Sequence, residues 1–174
     1  MKLTRTILLP LAALVMMTAQ PVHAQELNID AFNASNEIYG AGIYNLNFLS
    51  ACINHFEPND DEAAKIIASF AMEWRDRNTE IIQFAEKTRE MFLEQHTEAD
   101  FPVKQTTSNL NDYVNKLIAQ EKLNVESFEM SCSQTVNAMA LGVLDLEQTS
   151  PAAHKILLEV LADFKANADE AKTE

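Results

Sequence analysis

The chain has 174 residues, 47% of them hydrophobic and 22% charged, with only 3 Gly and 5 Pro. That composition excludes collagen, a glycine-rich linker and a disordered acidic tail, and the length fits one domain able to bury about 70% of its unfolded surface. Its 13 basic and 26 acidic residues give a formal charge of -13. Such a balance argues against nucleic acid, whose phosphates need Lys and Arg, and against an anionic membrane surface.

Residues 1–24 read as a secretory signal peptide. Lys2 and Arg5 form a positive start, Ile7 to Met17 is an uncharged apolar run, and Val22-His23-Ala24 ends on a small residue, so cleavage is expected after Ala24. The run is short for a membrane span, which needs about 20 apolar residues. Removing it takes away Lys2 and Arg5 but no acid, which leaves the remaining 25–174 domain more acidic still. The expected location is the periplasm, or outside the cell, in soluble form. Asn33-Ala34-Ser35 matches a glycosylation acceptor but falls in a predicted helix.

The first predicted helix runs from Ile29 to Phe56, with Ile38, Leu46, Leu49, Ile53 and Phe56 on one face and Cys52 beside it. It contains no Lys or Arg, the mark of a helix covered on several sides or of a binding surface. Gly40 and Gly42 cost helix stability, about 1 kcal/mol each against Ala, and suit close packing or a kink. A second helix starts after Pro58, with Asn59 as N-cap, Glu62 completing a capping box, and Asp60 and Asp61 suited to the helix dipole. Ala63, Ile67, Phe70, Trp74, Ile81, Phe84, Thr88 and Met91 make its stripe, with Arg77 bridging the gap. It either continues to His96 or bends near Asp76 to Thr79.

A third helix is expected at Val103 to Glu121, with Leu110, Val114, Leu117 and Ile118 inward. Asn124 caps a fourth, in which Val125, Phe128, Cys132, Val136, Met139, Val143 and Leu146 repeat helically. Ser150-Pro151 starts a fifth, an N-cap followed by proline at the first helical position. It runs to about Ala168, and residues 170–174 are expected to fray. No segment alternates with period two. The fold class is therefore all-α, a single-domain bundle of about five helices.

Cys52 and Cys132 are the only cysteines. In an exported chain they read as one internal disulfide, with an intersubunit bridge or free buried thiols as alternatives. Loop-entropy reasoning assigns such a bridge roughly 4 to 5 kcal/mol. It requires α-carbons about 4.4–6.8 Å apart, so the first and fourth helices must pack together. There is no Cys-x-x-Cys redox motif and no haem attachment motif.

Chemistry is sparse. His55, His96 and His154 show no metal-ligand spacing, and Met72, Met91, Met130 and Met139 read as core filling. No nucleophile motif and no phosphate loop occurs, so neither an enzyme nor a cofactor is expected. Trp74-Arg75-Asp76-Arg77 holds the single Trp and the densest positive charge. Trp74, Arg75 and Arg77 are thus candidate partner-binding residues. The competing reading puts Trp74 in the core and pairs the arginines with Glu73 and Glu80.

Ser50-Ala51-Cys52-Ile53 on a first helix joined to a later cysteine resembles small helical periplasmic immunity proteins of secretion-system toxins. The resemblance covers four residues and a layout, so no residue role follows from it. The leading functional expectation is an exported, non-catalytic protein that binds another envelope protein, one with a basic surface, as an inhibitor, immunity protein or small chaperone. The alternative is a carrier holding a small apolar or amphipathic ligand between helices. An acid-responsive chaperone is a third possibility, since protonation would discharge much of the surface.

Overall fold

The computed structural model describes residues 28–96 and 107–170. The expected signal peptide, its cleavage site and residues 171–174 lie outside the described residues, while Glu170, expected to fray, ends the last helix. Among those described there are six helices and no strand: α1 (Ile29–Phe56), α2 (Asp61–Gln95), α3 (Thr107–Glu121), α4 (Val125–Ala140), α5 (Leu146–Thr149) and α6 (Pro151–Glu170). None of these helices is long and apolar enough to cross a membrane.

Helix α1 forms where expected. Asn28 caps it, its side chain accepting from the Ala31 N–H at 2.8 Å. Ala34, Ile38, Leu49 and Cys52 are buried in the main core, and α2, α3, α4, α5 and α6 all contact α1. The absence of Lys and Arg from this helix fits its central position. Gly42 lies where α1 and α2 approach closely: a Cβ there would come within 2.9 Å of the Ile82 side chain.

Helix α2 runs unbroken for 35 residues. Its N-cap is Asp60, which accepts from the Ala63 N–H at 3.0 Å, in place of the expected Asn59. Asn59 is held in the preceding turn, its N–H donating to the Phe56 carbonyl. The buried positions also differ from the expected stripe. Ala64, Ile67, Trp74, Asn78, Ile81, Ala85, Thr88 and Phe92 are buried and half-buried Ala71 falls in step with them, in alternating steps of three and four. This is the 3.5-residue seam of a helix packed lengthwise on a neighbour. Small alanines occupy the seam while Phe70, Phe84 and Met91 lie half-buried at its flanks.

Cys52 and Cys132 form the expected internal disulfide, with α-carbons 5.8 Å apart and both residues fully buried. It joins the C-terminal part of α1 to the middle of α4. The fourth helix is shorter than expected and stops at Ala140. Gly142 takes φ +70°, a left-handed conformation that glycine adopts without steric cost. Its N–H donates to the Met139 carbonyl and that of Val143 to the Ala138 carbonyl, the pair of bonds that closes a Schellman cap. Leu146, expected to continue the helical repeat, instead begins the separate turn α5. Ser150 closes α5, and its carbonyl accepts from His154 N–H at the start of α6.

A smaller apolar cluster packs one end of the bundle. Phe32 of α1 stacks on Phe92 of α2 with ring centroids 4.3 Å apart, and Val160 and Phe164 of α6 pack against them.

Candidate functional site

The structure separates the three candidate residues of the Trp-Arg-Asp-Arg segment. Trp74 is fully buried, so it offers no surface for a partner. Its indole N–H donates to the Leu144 carbonyl at 2.9 Å, which satisfies the one polar atom that burial would otherwise strand. Arg77 turns toward the chain after α4. Its Nε lies 2.9 Å from Asp145 Oδ2, its Nη2 lies 3.0 Å from Asp145 Oδ1, and Nη2 also donates to the Met139 carbonyl at 2.8 Å. The hydrogen bond to Asp145 holds the guanidinium above its ordinary pKa. Arg75 remains exposed, with Asp76 at 3.8 Å. The expected pairing with Glu80 does not form, because Glu80 meets Lys165 at 3.3 Å.

Sequence reasoning passed over Asn78, which completes this arrangement. It occupies the seam position of α2, fully inside, and uses both ends of its amide. Its Nδ2 donates to the Trp74 carbonyl at 2.8 Å and to Asp145 at 3.3 Å. Its Oδ1 accepts from the Leu146 N–H at 2.9 Å. Asp145 precedes α5 but makes no side-chain cap, because its carboxylate faces Arg77 and Asn78. Asn78 therefore caps α5 from a different helix. Trp74, Arg77 and Asn78 together clamp residues 139–146 onto α2.

The clamp and the disulfide hold α4 at two places, and a groove opens between them. Its walls are Phe56, Ala63, Ile66, Ile67 and Phe70 on one side and Ser133, Val136 and Asn137 on the other, enclosing about 320 Å³. Phe56 and Val136 each lie one helical turn beyond a bridged cysteine, so the disulfide sets one end of this space. Ile66 is 50% exposed and, farther along α4, Met130 is 56% exposed. The lining itself carries no charged side chain. Glu62 and Glu73 are exposed on α2, one turn from Ile66 and from Phe70, and Glu73 adds to the negative field at Arg77; exposed Glu126 lies one turn before Met130. Helix α4 contains no Lys or Arg, and the single Lys of the first turns of α2, Lys65, pairs with Asp61.

Two other clefts flank the bundle. One, of about 530 Å³, lies among α2, α5 and α6, and its lining includes the Arg77–Asp145 and Lys165–Glu80 pairs together with Glu147. The other, of about 370 Å³, lies between α1 and α3 against residues 144–150, with Tyr44, Tyr113, Leu110 and Leu117 in its lining. The Tyr44 hydroxyl donates to Glu121 at 2.8 Å. Partial burial, together with that bond, pushes its pKa up to about 12.

The histidines stay apart. His55 meets Glu129 at 2.9 Å and packs edge-on against Phe56 and Phe128. His96 stacks on Phe92, and His154 lines the α2–α6 cleft. Among the described residues no three His, Cys, Asp or Glu side chains gather as a metal site. One charge lies inside unexpectedly: Arg89 is 2% exposed, donates to Asn36, and sits 4.7 Å over the Tyr39 ring. Burial lowers its pKa from the ordinary value. Asn36, one of several asparagines on a first helix that has no Lys or Arg, is the partner the sequence offered for this contact. Set against protein-family profiles, curated proteins and solved structures, the chain matches none.

Proposed function

We propose that this is an exported, non-catalytic protein that acts by binding another envelope protein, one that presents basic side chains. The observation that supports this most directly is the groove between α2 and α4. Apolar side chains stand half-exposed there, on a chain of charge -13. Apolar contact supplies affinity, and the surrounding charge steers an oppositely charged partner and excludes others. The disulfide fits an oxidising compartment. The test is affinity capture from an envelope extract with the oxidised chain as bait, followed by reconstitution with the purified partner. A partner bound at low salt and weakened by raised salt is the expected result. Binding that ignores salt counts against electrostatic steering, and failure to reconstitute any captured protein counts against the reading itself.

A carrier is the second reading, favoured by the 370 Å³ cleft between α1 and α3. Its size falls within the range of small-ligand pockets. Mass spectrometry of the denatured native-source protein should then release a stoichiometric small molecule. Protein that yields none removes this alternative.

A further inference from the structure

Resting on the carrier reading above, we propose that the cleft between α1 and α3 binds a small uncharged molecule with an apolar body and one hydrogen-bonding head, a hydroxyl, carbonyl or amide. The body is set by α3. Leu110, Val114 and Leu117 follow at steps of four and then three, so one face of this helix makes an apolar wall, and Leu144 adds to it from the segment before α5. The facing wall of α1 is kept low by Gly40, where a Cβ would already touch the Leu110 side chain at 3.7 Å.

The head is set by Ser150. This residue lines the cleft and is only 7% exposed. Its place before Pro151 suits an N-cap, yet its hydroxyl makes no hydrogen bond among the described residues. The neighbouring Thr149 hydroxyl, by contrast, is spent on the Asp145 carbonyl at 3.3 Å. Among the described residues the sealed side-chain polar atom without a partner is Thr88 Oγ1. The Ser150 Oγ is therefore not walled in but open to the cleft. Asn45 of α1 lines the same space, half-buried, and its amide also bonds to no described residue. A hydroxyl and an amide beside apolar walls supply both donors and acceptors for one head group.

The charge of the ligand follows from the lining. No acidic or basic residue belongs to it, and the Tyr44 hydroxyl within it is engaged with Glu121 at 2.8 Å. An ionised ligand would give up water there without meeting an opposite charge in the lining. An uncharged head gives up less and recovers it from Ser150 or Asn45.

The experiment titrates the oxidised full chain with three fluorophores that share one body: phenylnaphthylamine, which is uncharged and carries one N–H, its sulfonate, and its trimethylammonium derivative. Raised salt suppresses the field of the distant acids. Under those conditions the uncharged probe is expected to bind about tenfold or more tightly than either ion. Ser150→Ala should weaken it about fivefold with the unfolding midpoint unchanged, because no described protein group uses that hydroxyl. The double variant Ser150→Ala/Asn45→Leu should weaken it further. Ile66→Ser, in the groove between α2 and α4, should change nothing.

The proposal falls if either ion binds as tightly as the uncharged probe, if none of the three binds, or if Ser150→Ala leaves binding intact. It falls equally if Ile66→Ser abolishes the signal, which would place the probe in the other groove. Protein from its native source separates the proposal from the reading beneath it. A stoichiometric charged ligand released on denaturation would keep the carrier and overturn the ligand class, whereas no released ligand and no probe binding would remove both.

Discussion

Helix α4 is held at its middle by a covalent bond and beyond its C-terminus by a polar clamp, and the two fastenings differ in kind. The disulfide acts at a single point, on two fully buried cysteines. Much of its contribution arises in the unfolded chain, whose freedom it restricts. The clamp acts only in the folded state. It distributes the task over Trp74, Arg77 and Asn78, which together engage the carbonyls of Met139 and Leu144, the carboxylate of Asp145 and the N–H of Leu146. The disulfide depends on no neighbouring hydrogen bond, whereas the buried members of the clamp, Trp74 and Asn78, each depend on another group for a partner.

Breaking the clamp at its apolar centre should cost most. Trp74→Ala is expected to lose about 3–5 kcal/mol in denaturant unfolding, from the cavity and from the stranded Leu144 carbonyl. The disulfide comes next. Cys52→Ala/Cys132→Ala should lose about 2–5 kcal/mol. Hydrogen exchange tells these two apart: the cysteine variant should lose protection first around Val136, and the tryptophan variant around Leu146. Should both variants open α4 along its whole length at once, the two fastenings would be one cooperative unit, and the contrast drawn here would fail.

Asn78→Ala sharpens the clamp side. It leaves the buried Leu146 N–H without an acceptor, so about 1–3 kcal/mol should be lost in the same unfolding assay. Arg77→Lys should matter least. Its pair with Asp145 is partly exposed, with 40% and 23% of the two side chains accessible. Solvent screening keeps the loss below about 1 kcal/mol even though the paired geometry is destroyed. A loss for Arg77→Lys as large as that for Asn78→Ala would mean that charge, not capping, holds the turn.

The disulfide was legible in the sequence because two cysteines in a chain read as exported admit one internal pairing, and the helices because their apolar periodicity is strong. The clamp was not, for two reasons. Reading the stripe of α2 by side-chain bulk favoured Phe70, Phe84 and Met91 over Ala71 and Ala85, yet small residues are what a close approach of α1 requires. The same habit put Arg77 in the gap where Asn78 belongs, since a polar residue is not expected in a helix seam unless its partner, here the N-terminus of α5, is already known. The stop at Gly142 carried a usable signal. Glycine just past a helix end is a common terminator, but the apolar spacing of Val143 and Leu146 outweighed it. Trp74 and Arg77 drew attention for the right reason, binding capacity, and direct it at their own chain.

Both sulfurs lie wholly inside the protein. A dissolved thiol must touch a sulfur to exchange with it, so attack is confined to moments when α4 has lifted. The speed at which a mild reductant consumes the bond is then a clock for that lifting, and any occupant of the neighbouring groove should slow it.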